Sequence, residues 1–184
     1  YAAWIHTDYM ALSLDREAEL AMWRDYDVIC AISDQALRAF QSVFPELADK
    51  VQTVENILPQ ELIRKQADAP QTEITTDGSI HLLSVGRFCE AKNFDNIPDI
   101  CRRLVKAGLN VKWYLIGYGG DEALIRQKIT EVGMQERVII LGKKDNPYPY
   151  MRVCDLYVQP SRYEGKAVTV REAQLLGKPV VITN

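Results

Sequence analysis

Short, nearly unbroken apolar runs recur along this chain, each followed by a stretch with helical spacing, and this alternation limits the possible folds more than any other feature. The segments HLLSVG (81–86) and VKWYLIG (111–117) show no regular exchange of polar and apolar residues. A strand with one wet face alternates; a strand buried on both faces, as in a parallel sheet between helix layers, does not. Strands are predicted at 2–6, 27–32, 51–55, 80–85, 111–116, 137–141, 155–159 and 179–183. Between them, LDREAELAMWR (14–24) puts Leu14, Leu20, Ala21 and Trp23 near one helix face, and Asp34 is a candidate cap for QALRAFQSVF (35–44). FDNIPDICRRLVKAG (94–108) stops at Gly108. DEALIRQKITEVG (121–133) leads with acids, offers Leu124, Ile125, Ile129 and Val132 as its apolar side, and stops at Gly133. Strands alternating with helices of this size predict a doubly wound α/β fold.

The alternation is interrupted once, at ILPQELIRKQADAPQTEITTDGS (57–79), which is polar and carries two prolines. It reads as an interdomain connection with a short helix at 60–65. Residues 1–58 then form the end of one α/β domain, 59–75 a linker, and 76–184 most of a second domain. The chain opens in one apolar segment, YAAWIHT, and stops after another, KPVVITN, so it is expected to be a piece of a longer protein.

Composition narrows the function classes. A net charge of −3 gives no general electrostatic case for nucleic-acid binding. Four scattered cysteines and two histidines show no metal-ligand spacing and no disulfide framework; reduced thiols and a cytoplasmic setting are the expectation. No apolar run approaches the roughly 18–20 residues that span a bilayer.

Three loops carry candidate chemistry, each after a predicted strand, where ligands of open α/β sheets bind. In SVGRFCEAKNF (84–94), Gly86 closes the strand and Arg87 and Lys92 follow. A guanidinium fork and a compact ammonium suit an anion with several oxygens, although from this loop alone two solvated surface charges are the plainer reading. In IGYGGDE (116–122), Gly117, Gly119 and Gly120 allow a close backbone approach or simply a tight turn; the pattern is not a dinucleotide fingerprint. In QPSRYEGKAVTVREAQLLG (159–177), Glu164 lies at a predicted helix start whose N–H groups at Gly165, Lys166 and Ala167 are available to an anion. Glu172 follows eight residues later, roughly 12 Å along a helix and about 80° round it, so a shared face does not follow from spacing. Glutamates on an exposed helix would account for the pair as well.

Taken in order, Gly86-Arg87-x4-Lys92-Asn93, Gly117-x-Gly119, Leu141-Gly142 and Pro160-Ser161-x2-Glu164-Gly165-x6-Glu172-Ala173-x3-Gly177-x-Pro179-Val180 resemble the carboxy-terminal domain of family 4 retaining glycosyltransferases of the GT-B fold. The likeness covers about 100 residues, from Ile80 onward, and residues 1–58 look like the end of the family's acceptor-side domain. It implies a nucleotide-diphosphate sugar as donor, UDP favoured over GDP, with no cofactor and no metal. Arg87 and Lys92 would hold the diphosphate, Glu172 the ribose and Glu164 the transferred sugar. Gly165, Lys166 and Ala167 would add backbone donors, and Gly142, Lys143 and Lys144 would line the base pocket. His6 would approach the sugar from the other domain. Many relatives have Glu-Gly-Phe-Gly where this chain has Glu164-Gly165-Lys166-Ala167, which leaves the sugar's identity open. The implied acceptor is a saccharide or lipid-linked glycan at the inner face of the cell membrane, with membrane contact through parts outside this chain. Competing readings are a non-transferase GT-B relative, such as a sugar-nucleotide epimerase, and a non-catalytic nucleotide-binding domain.

Overall fold

The computed structural model describes residues 1–6, 9–11, 14–71, 73–164 and 167–183. The chain divides into two compact units, Tyr1–Ile57 and Leu58–Asn184. In the first, strands β1 (Ala2–Ile5), β2 (Val28–Ala31) and β3 (Val51–Thr53) form a parallel sheet in the order β1-β2-β3. Helices α1 (Arg16–Arg24) and α2 (Asp34–Val43) complete it. Its core gathers Ile29, Phe40, Phe44, Leu20 and Trp23. Two local expectations change here. Ala21 is exposed, because Leu20 and Trp23 already define the buried stripe and the residue after Leu20 lies about 100° away. The cap of α2 is Ser33, whose hydroxyl accepts from the Ala36 N–H at 3.1 Å, while Asp34 accepts from Thr53 Oγ1 at 2.7 Å.

The second unit starts with α3 (Gln60–Ala67), the helix expected at 60–65. The polar 59–75 segment packs within this unit: Ile63, Ala67 and Ile74 are buried, and α3 lies against α6 (Tyr148–Val153). Its polar residues stay on the exposed side, and some of them tie the segment to α6 and the loop before it. Arg152 bridges Asp68 at 3.0 Å, and Asn146 Nδ2 donates to Gln66 O at 2.9 Å. With only Ile63, Ala67 and Ile74 buried among its described residues, the segment keeps the polar composition of a connector while packing on this unit.

Strands β4 (Ile80–Val85), β5 (Val111–Ile116), β6 (Val138–Gly142), β7 (Leu156–Gln159) and β8 (Val180–Ile182) form one parallel sheet, ordered β6-β5-β4-β7-β8. From β4 the chain winds outward to β6, then returns to the other side of β4 for β7 and β8, so the winding reverses between β4 and β7. Both faces are covered. Leu82, Trp113, Leu115 and Val138 meet α4 (Ile97–Lys106) and α5 (Glu122–Glu131) through Ile97, Cys101, Ile125 and Ile129. Leu83, Val85, Tyr114 and Tyr157 point the other way, to Tyr150, Met151 and to Ala173 of α7 (Val168–Leu175). Consecutive residues serving opposite cores explain why these runs did not alternate in polarity. On α5 the buried stripe is Ile125 and Ile129, whereas Leu124 is 41% exposed.

Two glycines allow the loops after β4 and β5 to continue side by side beyond the sheet. Phe88 N–H donates to Tyr118 O at 2.8 Å and Asp121 N–H to Phe88 O at 3.2 Å. A Cβ at Gly117 would lie 1.8 Å from Gly86 O, and one at Gly119 2.2 Å from Phe88 O, both with φ of +155°. The glycines are therefore required by loop-to-loop packing. Gly119→Ala should cost about 2–4 kcal/mol, from overpacking plus backbone strain. Gly120→Ala, at a position with open space, should change stability by less than about 1 kcal/mol. Urea unfolding followed by tryptophan fluorescence, with Trp113 reporting on this unit, checks both.

Candidate functional site

The carboxyl ends of β4 and β7 flank the point where the winding reverses, and the loops leaving them carry most of the sequence-predicted residues. After β4, Gly86 N–H donates to Ile116 O at 3.0 Å, and the exposed Arg87 side chain makes no hydrogen bond or ion pair among the described residues. Lys92 ends a 3-10 turn, and its Nζ meets Glu164 Oε1 at 2.5 Å. Asn93 holds φ 59°, the left-handed conformation that asparagine tolerates best after glycine. The resulting turn sends Asn93 Nδ2 to Pro160 O at 2.8 Å, tying this loop to the one after β7.

The β7 loop is built around a buried amide. Gln159 Nε2 donates to Ser161 Oγ and Glu164 Oε1, both at 2.9 Å, and Tyr157 OH donates to Gln159 Oε1 at 2.8 Å. Ser161 Oγ also reaches Glu164 Oε1, at 2.5 Å. The Glu164 carboxylate is therefore held by three donors, one of them a cation from across the switch point. Arg162 fastens the loop a second time. Its N–H donates to Ala91 O at 2.8 Å, its Nη1 to Glu90 O, and its Nη2 lies 3.1 Å from both Asp95 oxygens. Lys128 of α5 meets the same carboxylate at 3.1 Å. Burial pushes the Asp95 carboxyl up, but the Arg162 and Lys128 hydrogen bonds outweigh it, and the net shift is downward.

Glu172 stands on α7, half-buried, and accepts from Tyr148 OH at 2.9 Å. Burial pushes its carboxyl up, and the Tyr148 hydrogen bond returns part of that shift. Tyr148 itself is pushed up to about 12 by burial and by its bond to Glu172. The helix begins at Val168, later than expected, because Ala167 has φ −72° and ψ 85°, outside the helical region. Val170 N–H is the first to find Ala167 O, so the N–H groups without an intrahelical acceptor are those of Val168 and Thr169. Gly165 and Lys166, expected at the helix start, lie outside the described residues.

After β6, Gly142 O accepts from Gly117 N–H at 2.9 Å. Lys143 is exposed, with its ammonium 5.8 Å from the Tyr118 ring centroid. Lys144 pairs with Glu73 at 2.8 Å and lies over the Tyr150 ring, so its charge is engaged in holding the 59–75 segment. His6, exposed after β1, belongs to the first unit. The structure thus joins Lys92 and Glu164 directly and sets Arg87, Glu172 and Lys143 on neighbouring loops and on α7. Sequence reasoning missed Asp95, Tyr148, Gln159 and Arg162. Asn93 stood in the quoted motif without a role, and Arg162 is a non-acidic residue within the Pro-Ser-x2-Glu run. Tyr148 gave no signal beyond an aromatic near Pro147. Among the described residues no group of three His, Cys, Asp or Glu is gathered for a metal ion, and no helix is long and apolar enough to cross a membrane.

An open parallel sheet whose winding reverses beside cations and carboxylates defines a doubly wound α/β protein, a class whose ligands bind at such a reversal. A family model for Glycosyl transferases group 1 matches residues 65–184, and the chain belongs to that family. An uncharacterized glycosyltransferase of Methanocaldococcus jannaschii is 24% identical over 161 residues, covering 86% of this chain and 40% of the relative. The lipopolysaccharide core biosynthesis glycosyltransferase LpsE of Rhizobium meliloti is 29% identical over 102 residues, covering 55% of this chain and 29% of the relative. The crystal structure of Anabaena HepE in complex with UDP superposes with a TM-score of 0.76 at 21% identity, over 98% of this chain and 52% of that one. That likeness is one of fold, and the solved neighbours bear out the GT-B class. This chain spans less than half the length of these two curated relatives.

Arg162→Ala would leave the buried Asp95 carboxylate with Lys128 alone and should cost about 1–3 kcal/mol in urea unfolding. Because the folded Asp95 carboxyl lies below its ordinary 3.8, its stabilising contribution is complete above that value and lost as pH falls through the folded one. Acid titrations of stability should therefore fall less steeply below about pH 4 in Asp95→Asn than in the unaltered chain.

Proposed function

We propose that this chain supplies the donor-binding part of a retaining, hexosyltransferase-type glycosyltransferase. It would move a sugar from a nucleotide-diphosphate sugar, UDP favoured over GDP, to a saccharide or lipid-linked acceptor in surface polysaccharide synthesis. The observation that carries the reading is the pair of cations after β4, Arg87 exposed and unpaired among the described residues and Lys92 bound to Glu164 of the β7 loop at the switch point. Family membership, the lipopolysaccharide relative and the UDP held by the Anabaena structure support it.

In this reading Arg87 and Lys92 receive the diphosphate. As the glycosidic bond breaks, negative charge grows on the leaving phosphate, and the two cations stabilise it. These cations supply charge that a metal ion would otherwise bring. The N–H groups of Val168 and Thr169 add donors at the start of α7. Glu172 accepts from the ribose hydroxyls, Glu164 from hydroxyls of the sugar, and Gly142 and Lys143 border the base. The acceptor oxygen bonds the sugar carbon as its bond to the phosphate breaks, and the leaving phosphate oxygen takes the acceptor's proton, so retention needs no protein base. The reaction belongs at the cytoplasmic face of the membrane, with any membrane contact made outside this chain.

Calorimetry with UDP, GDP and ADP tests the site. One of them should bind, and Arg87→Ala or Glu172→Ala should each weaken it by about tenfold or more, the cost of a lost charged hydrogen bond. Unchanged affinity in both variants would refute the assignments. Glu172 accepts hydroxyls best when ionised, and burial raises its carboxyl above the ordinary 4.5. Acidification should therefore weaken binding more in the unaltered chain than in Glu172→Gln, in which only the ligand phosphate's own protonation, common to both, remains. The isolated chain should show little or no sugar transfer in a turnover assay, even with a donor it binds.

A further inference from the structure

The two cations after β4 differ in what they already hold. Arg87 is exposed and has no partner among the described residues, whereas Lys92 is bound to Glu164 at 2.5 Å. Both side chains of this pair are largely covered, with 25% and 24% of their surface exposed. The same Glu164 oxygen accepts from Ser161 Oγ at 2.5 Å and Gln159 Nε2 at 2.9 Å, which fix the carboxylate in place beside the ammonium. Gln159 is in turn fixed by Tyr157. Glu164 therefore has little freedom to move aside when an anion approaches Lys92.

An incoming phosphate must share or take the Lys92 ammonium while the Glu164 carboxylate stays close. That exchanges one favourable ion pair for another and adds repulsion between two anions. A nucleotide that still carries its sugar compensates, because sugar hydroxyls donate to the carboxylate that Lys92 releases. A free nucleoside diphosphate offers Glu164 no such donors. We infer that Glu164 is an internal competitor for Lys92, which makes the site discriminate against free nucleoside diphosphate relative to the sugar-bearing donor. The inference rests on the donor-site reading above and adds to it a specificity role for the ion pair. One consequence is easier departure of the nucleotide product once the sugar has left.

The test is a sign. Removing an acid that merely helps to build the site should weaken nucleotide binding; removing a competitor should strengthen it. Calorimetry is performed with whichever of UDP, GDP or ADP the unaltered chain binds, and with inorganic pyrophosphate, which bears the same charges without base or ribose. Glu164→Gln should tighten both by about two- to fivefold, the range expected for relieving one partly exposed ion pair. Glu164→Ala, which removes the same charge by a different route, should act in the same direction and guards against a fold defect specific to the amide. In a Lys92→Gln background the gain should vanish, because there is no ammonium left to release. Unchanged or weakened binding in both Glu164 variants, with the unaltered chain binding and Arg87→Ala impaired, overturns the competition and leaves the donor site standing. Failure of the unaltered chain to bind any of the three nucleotides overturns the donor site and the competition with it.

Discussion

Strand β4 is hydrogen-bonded along one edge to β5 and along the other to β7, and it is buried on both faces. Such a strand can be no wetter than the core around it, so its two buried polar side chains, His81 and Ser84, must find partners, and His81 Nε2 lies 3.3 Å from Asp77 Oδ1. Ser84 donates to Val158 O at 2.6 Å and accepts from Trp113 Nε1 at 3.0 Å, linking β7, β4 and β5 in one chain of bonds. Since β7 joins β4 only after the chain has passed through β5 and β6, the loops after β4 and β7 are set side by side although about 70 residues separate them in sequence. Every arrangement described for Arg87, Lys92 and Glu164 depends on that adjacency.

The adjacency is then locked by polar bonds. Asn93 to Pro160, Arg162 to Asp95 and to two backbone carbonyls, and Lys92 to Glu164 all cross the same gap. Lys128 brings α5 to the same carboxylate, so the loop after β5 is fixed relative to the other two. Exposed ion pairs contribute little singly, but Asp95 is largely buried, and removing one of its two cations leaves that carboxylate with a single partner. Asn93, Asp95, Lys128 and Arg162 thus preorganise the loops without being assigned any ligand contact themselves.

Much of this was legible in the sequence. All eight strands lie within a residue or two of their expected places, because two-sided burial leaves unbroken apolar runs that few other structures tolerate. The pairing of Glu164 with the loop after β4 was suggested by motif order and needed the topology to become a contact. Asp95, Tyr148 and Arg162 were not legible, because each acts through a partner distant in sequence and no local pattern marks it. The 59–75 segment misled for a related reason. Its charges and prolines have the composition of a connector, yet Glu73 finds Lys144 and Tyr150, and Ile74 enters the core. The late start of α7 was hidden by a residue, Ala167, that is at home in a helix and is here held outside it.

The docking of α3 and Glu73 onto the second unit bears on how the chain can be divided. A cut placed at Ile80, where the sheet begins, would strip the cover from Tyr150 and Met151 and leave Lys144 without its carboxylate. A cut before Leu58 keeps that cover attached. The natural seam therefore lies at the front of the polar stretch, and a proteolytic or recombinant fragment that respects it should stay in solution where a shorter one aggregates.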